Sequence, residues 1–174
     1  MNTILLHFSE EEGIETFVPR PNKSYPHLQP AVWAIDQEHA AHYYFPRDCP
    51  RVIYWKSDTS TDQDTDIFFH CSTVDKIMVI ENRWLKRIQE TRLYVYEFDP
   101  EGFELFEEAK TAGYFISHRE VKPVRVKVMD DLLGSILSQG IELRFTPSLR
   151  TVRNAVVNST LEFSVIRYSN AVNV

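Results

Sequence analysis

The chain has 174 residues, 43% of them hydrophobic and 25% charged, a balance that allows one domain with a substantial core and excludes a disordered or collagen-like chain. A net charge of -6 offers no general attraction to a phosphate backbone, so nucleic acid is not an expected partner. No apolar run approaches the length of a membrane span, and the opening MNTILLHFSEEEG lacks the basic n-region and long h-region of a signal peptide, so no membrane partner and a cytoplasmic location are expected.

Cys49 and Cys71 stand in no paired spacing, which predicts free thiols in a reducing compartment. With only five glycines the chain is poor in phosphate-cradling loops, and neither the Walker nor the dinucleotide fingerprint occurs.

In chain order, Thr3 to Ser9 reads as a strand that puts Ile4, Leu6 and Phe8 on one face and Leu5, His7 and Ser9 on the other. His7 and Ser9 are therefore candidate site residues, set against the plainer reading of a satisfied histidine in an apolar strand. Pro19 to Pro30 carries four prolines in twelve residues, which excludes a helix or a central strand and predicts an ordered, extended connection able to wall a site. Ala31 to Ile35 reads as a strand. Asp36 suits an N-cap for a helix over Gln37 to Phe45 that Pro46 stops. On that helix Glu38, His39 and His42 overlap on one broad face. This is a conceivable metal constellation, but the order Glu-His-Ala-Ala-His is not the zincin motif, and a solvated surface helix with Tyr43 to Phe45 packed inward accounts for it too. No metal is assigned.

The turn Pro46 to Arg51 is stiffened by proline at both ends. Its Arg47 suits an anion, and a structural clamp between Asp48 and an arginine explains the turn equally well. Cys49 becomes a nucleophile only if its positive neighbours depress its pKa and a base lies within reach.

Val52 to Trp55 reads as a strand and the acidic stretch Lys56 to Asp66 as a flexible loop. Ile67 to Ser72 suits a short helix or an edge segment. Asp75 to Ile80 and Leu93 to Phe98 read as strands, joined through a helix capped by Asn82 that turns Trp84, Leu85 and Ile88 inward. Arg83, Lys86, Arg87 and Arg92 form a solvated basic face. After the turn Asp99 to Gly102 come Phe103 to Phe106 and the helix-prone Glu107 to Lys110, and Gly113 to His118 pairs with Val121 to Val128. The alternation from Val124 to Val128 predicts buried valines with Arg125 and Lys127 outward. A helix from Asp130 carries Leu133, Ile136 and Leu137 and ends before Gly140. Ile141 to Arg144 follows, then a helix with Leu149, Val152, Val156 and Val157, and a last strand over Phe163 to Tyr168. Glu142, Arg144, Arg153 and Arg167 are candidates for a buried ionic cluster. The expected architecture is α+β, two antiparallel-rich sheets with flanking helices, in a single domain over 1–174 with a flexible acidic loop at 56–66.

The segments LLHFSEEEGIETFVPRP, PAVWAIDQEHAAHYYFPRDCPRV, RLYVYEFD, GYFISHREVKP, GIELRFTPSL and FSVIRYSNA resemble a bacterial family of domains of unknown function, over nearly the whole chain except the acidic loop. That resemblance implies no particular activity. More distantly, the order of elements resembles the ADP-ribosyltransferase fold of the diphtheria-toxin and RNA 2'-phosphotransferase kind. The resemblance implies that His7 holds the ribose of NAD, that Trp33 stands where a second-strand aromatic, usually tyrosine, is found, and that Tyr43 or Tyr44 stacks on the nicotinamide. The family's strand glutamate has no counterpart near Gly113 to Ser117, so Glu120 or Glu142 would serve by a different geometry. A carboxylate matters there because the departing nicotinamide leaves an oxocarbenium-like centre to stabilise. On this reading His7 and Glu142 are the candidate catalytic residues, and Ser9, Trp33, Tyr43, Tyr44 and Arg47 bind a small-molecule ligand. NAD is a candidate cofactor and none is required. The alternative is a non-catalytic module in which Trp33, Tyr43, Tyr44 and Trp55 recognise a small ligand or a peptide.

Overall fold

Leu5–Ser9 alternates as expected and forms the first strand, although Thr3, the expected start, lies outside the described residues. The computed structural model describes residues 4–172. In chain order the strands are β1 (Leu5–Ser9), β2 (Val32–Ile35), β3 (Arg51–Trp55), β4 (Lys76–Glu81), β5 (Leu93–Phe98), β6 (Glu104–Leu105), β7 (Tyr114–Ser117), β8 (Arg125–Met129), β9 (Glu142–Thr146) and β10 (Glu162–Ile166). The α-helices are α1 (Asp62–Phe69), α2 (Leu85–Glu90), α3 (Leu132–Leu137) and α4 (Arg150–Val157). The fold is α+β with two sheets, and among the described residues no helix is long and apolar enough to cross a membrane. The chain splits into two compact units: a first of residues up to Tyr44 with Arg92–Asp130, and a second of Phe45–Thr91 with the residues from Asp131 on.

The first unit holds a fully antiparallel six-stranded sheet in the order β6-β7-β2-β1-β5-β8. Register assigns its faces, because residues directly opposite one another share a face and neighbours along a strand do not. Leu5 lies opposite Phe98, His7 opposite Tyr96 and Ser9 opposite Tyr94. This face carries the core of Leu5, Phe17, Val32, Ala34, Tyr94, Tyr96 and Phe98. The segment after β1 is tied over it: Tyr96 Oη donates to the Glu11 carbonyl at 2.8 Å and accepts from the Ile14 amide at 3.1 Å, and Tyr94 Oη donates to the Glu12 carboxylate. The opposite face carries Leu6, Phe8, Trp33, Ile35, Tyr114 and Ile116, since Leu6 lies opposite Ile35, Trp33 opposite Ile116 and Ile35 opposite Tyr114.

The second unit holds the sheet β10-β3-β4-β9, antiparallel except for the parallel pair β4 and β9. Val52, Tyr54, Ile77 and Val79 form one core face with Phe69 of α1, Leu149 just before α4, Val156 of α4, and Leu161. The middles of the inner strands β3 and β4 are apolar on both sides, and Ile53, Met78 and Ile80 are equally inaccessible to solvent.

Several expectations are corrected by packing. No α-helix spans Gln37 to Phe45. A short 3₁₀ turn, Ala40–Tyr43, stands there, with i to i+3 bonds such as His42 N to His39 O at 3.0 Å. Asp36 is not its N-cap: that position is His39, which makes no side-chain cap bond, and Asp36 instead accepts from the His39 amide at 2.8 Å in the turn before it. The latter part of the acidic stretch is helical, because Thr61 Oγ1 caps α1 by accepting from Asp64 N, and the Asp64 carboxylate accepts from the Thr160 amide at 2.7 Å. In α2 Ile88 is buried as expected, whereas Leu85 is exposed. Val124, Val126 and Val128 are not core residues: they are 61%, 45% and 56% exposed, because β8 is the end strand and the layer over its neighbour does not reach it. The ionic cluster also fails to assemble. Glu142 and Arg144 pair with each other, but Arg153 lies over the Tyr168 ring and Arg167 donates to the Arg47 carbonyl. The buried charges of the second unit are Arg51 and Glu81 instead. Arg51 donates to the Cys49 carbonyl at 2.7 Å, and Glu81 accepts from Arg83 Nε at 2.9 Å and from the Val172 amide at 2.8 Å.

Candidate ligand-binding site

The richest chemistry lies on the second face of the first sheet. β2 carries Trp33 there, and β7 brings Tyr114 alongside. Proline stiffens the segment before β2, which returns across the strand end through the bridge of Arg20 to Ala31 and lays the Tyr25 ring nearly parallel to the indole, 5.5 Å away and inclined by 21°. Phe106 meets both rings edge-on, at 4.8 Å from Tyr25 and 5.0 Å from Trp33. Tyr43, at the end of the 3₁₀ turn, shares a 2.6 Å hydrogen bond between its hydroxyl and that of Tyr114. Tyr25, Trp33, Tyr43 and Tyr114 are all half-buried. Burial, then the neighbouring Tyr114 and Glu108, holds the Tyr25 phenol above its ordinary pKa, so it remains a neutral hydroxyl. The Trp33 indole N–H is buried and, among the described residues, has no acceptor. That is costly to leave unmet, at about 1–3 kcal/mol.

A carboxylate and an imidazole stand at the end of β2. Asp36 Oδ1 lies 2.8 Å from His39 Nδ1; a carboxylate only accepts, so the proton of this pair sits on Nδ1. Gly113 closes the arrangement: its carbonyl accepts from the Asp36 amide at 3.0 Å, its φ is +71°, and a side chain there would collide with the His39 ring and the Asp36 carboxylate. The His42 ring is buried, 5.4 Å from that of His39. Glu38 does not join them in a metal set, and among the described residues no three His, Cys, Asp or Glu side chains are arranged to hold a metal.

The structure separates the residues singled out from sequence into three places. Trp33, Tyr43 and Tyr44 belong to the second face, with Tyr44 5.3 Å from Phe8 and its phenol pKa raised by burial. His7 and Ser9 belong to the first face. The Nδ1 of His7 donates to the Trp33 carbonyl at 2.8 Å while its ring packs edge-on against Phe17 at 4.9 Å, and Ser9 Oγ accepts from the Glu11 amide. Thus His7 touches the backbone of Trp33 but not the side of the sheet where the indole lies. Arg47 and Glu142 belong to the second unit. Arg47 is exposed in its turn, which Asn170 and Arg167 pin by donating to the carbonyls of Asp48 and Arg47. Glu142 is held by Ser72 Oγ at 2.5 Å and Arg144 Nε at 2.7 Å, contacts that lower its pKa in that order. Cys49 is fully buried, and burial outweighs the pull of Arg51 and pushes its thiol up to about 12, the opposite of an activated nucleophile. Tyr25, Phe106, Tyr114 and the Asp36–His39 pair were missed in the sequence. The alternation of Tyr114 and Ile116 was the available signal for one of them, but it acquires meaning only once β7 is paired with β2.

The chain belongs to DUF6886, a family of unknown function whose model matches residues 6–171. No curated protein and no solved structure matches the chain.

Proposed function

We infer that the first unit is a non-catalytic binding module for a small, flat ligand that carries a hydrogen-bond acceptor, of the nicotinamide or nucleobase type. The observation that carries this reading is the Trp33 indole N–H, which is buried without an acceptor among the described residues while its ring stands among the half-buried Tyr25, Tyr43 and Tyr114 and the buried Phe106. A flat ligand adds a stacking partner to such a group, and an acceptor on its rim satisfies the N–H. Transfer chemistry on NAD is not part of this reading. It needs His7, the indole and a carboxylate around one ligand, whereas His7 occupies the other face of the sheet and Glu142 already serves Ser72 and Arg144.

Thermal unfolding with nicotinamide, NAD and adenine tests the reading. At about ten times Kd a ligand stabilises by about 1.4 kcal/mol, enough to move the midpoint by a few degrees. One of the three is expected to do so for the wild type and not for Trp33→Phe, with no nicotinamide released from NAD. The absence of any shift at millimolar concentration sinks binding, and release of nicotinamide sinks the non-catalytic assignment.

A further inference from the structure

The aromatic group leaves one feature of the first unit unused, the open edge at β8. This strand ends the six-stranded order, and its outer side has no strand neighbour among the described residues. Val126 lies opposite Tyr96 and Val128 opposite Tyr94, so the apolar row of the first face continues to the edge, where these valines stay 45% and 56% exposed. On the other face Arg125 and Lys127 turn to a single carboxylate. Glu97 is 6% exposed, with Arg125 Nε at 3.7 Å and Lys127 Nζ in direct contact. Two cations against one carboxylate leave positive charge in excess along that edge.

An open edge with an apolar row is a template for one more strand, and charge decides which strand it is. A second copy of the chain adds by a two-fold axis through the new strand pair, and opposite residues must share a face. If Val126 pairs with its own copy, Arg125 falls opposite Lys127. Shifting the register by one same-face step sets Arg125 opposite Arg125 or Lys127 opposite Lys127. Each of these registers places cation against cation, which destabilises a strand pair. We propose that β8 accepts a strand from a different polypeptide, an extended segment that alternates acidic and β-branched apolar residues. Its acids lie beside Arg125 and Lys127, and its apolar side chains beside Val126 and Val128.

The test titrates the full chain with a short capped peptide alternating glutamate and valine, and with its counterpart carrying lysine for glutamate, by fluorescence anisotropy at low salt. The acidic peptide is expected to bind at least about tenfold more tightly, to weaken as salt rises, and to slow amide exchange within 125–129. Arg125→Gln weakens the acidic peptide several-fold. Val126→Lys, which leaves the partners of Glu97 in place, weakens both peptides, and circular dichroism of each variant confirms that the sheet is retained. Equal affinity for the two peptides, no binding of the acidic one, protection elsewhere in the chain, or a stable dimer of the protein alone by sedimentation each overturns the proposal.

Discussion

At the scale of single residues, environment rather than residue type decides the chemistry. Cys49 and Cys71 look alike in the sequence, yet Cys49 is fully buried with its pKa pushed up to about 12, whereas Cys71 is exposed. One thiol is therefore expected to react with a disulfide reagent in native protein near neutral pH and two after denaturation, in a colorimetric count. Glu142 shows the opposite shift. Hydrogen bonds from Ser72 and then Arg144 hold its carboxyl below the ordinary value of 4.5, so the native state binds its proton less tightly than the unfolded chain. Its stabilising contribution is complete above that value and disappears as pH falls through the native one. Because the carboxylate is one-third exposed, with a side-chain accessibility of 33%, solvent screening reduces the gain. Glu142→Gln is expected to cost about 1 kcal/mol at neutral pH in urea unfolding, with the difference from wild type shrinking in acid.

Elements differ in how far their own residues dictate them. β5 is buried throughout and apolar except for Glu97, and its local pattern is sufficient to mark it as a strand. The start of α1 depended on two small polar contacts, the Thr61 cap and the Asp64 carboxylate against Thr160, which lies 96 residues further along the chain. Thr61→Ala removes the cap and is expected to cost about 1 kcal/mol, read from thermal unfolding, with the sheets of both units unchanged by circular dichroism. The turn after β2 goes the other way: Asp36 accepts from the His39 amide, yet only a 3₁₀ turn with His39 as its N-cap follows before Pro46. In β8 the alternation was clear and the assignment of its valines still failed, since period 2 separates the faces of a strand without saying whether either is covered.

For the whole molecule, the interleaving of the two units matters most. In the second sheet the inner strands β3 and β4 come from the middle of the chain, while the outer strands β9 and β10 come from its last part. Ending the chain after Asp130 removes both outer strands and leaves a strand pair that is marginal in water. Such a truncation is expected to lose the amide protection of β3 and β4 in hydrogen exchange, and persistence of that protection would show the pair to be self-sufficient. The α+β class, most strands and the aromatic wealth around Trp33 were legible from the chain alone, because strand alternation, proline breaks and apolar density are local properties that survive any arrangement of the rest. So was membership of a family of unknown function, which the match over residues 6–171 bears out. Tertiary pairing alone decided that His7 and the Trp33 indole lie on opposite faces, that Tyr25, Phe106 and Tyr114 gather around that indole, and that Cys49 is inert. These depend on register and on which surfaces are covered, and both are set by residues far apart in sequence whose pairing no short window records.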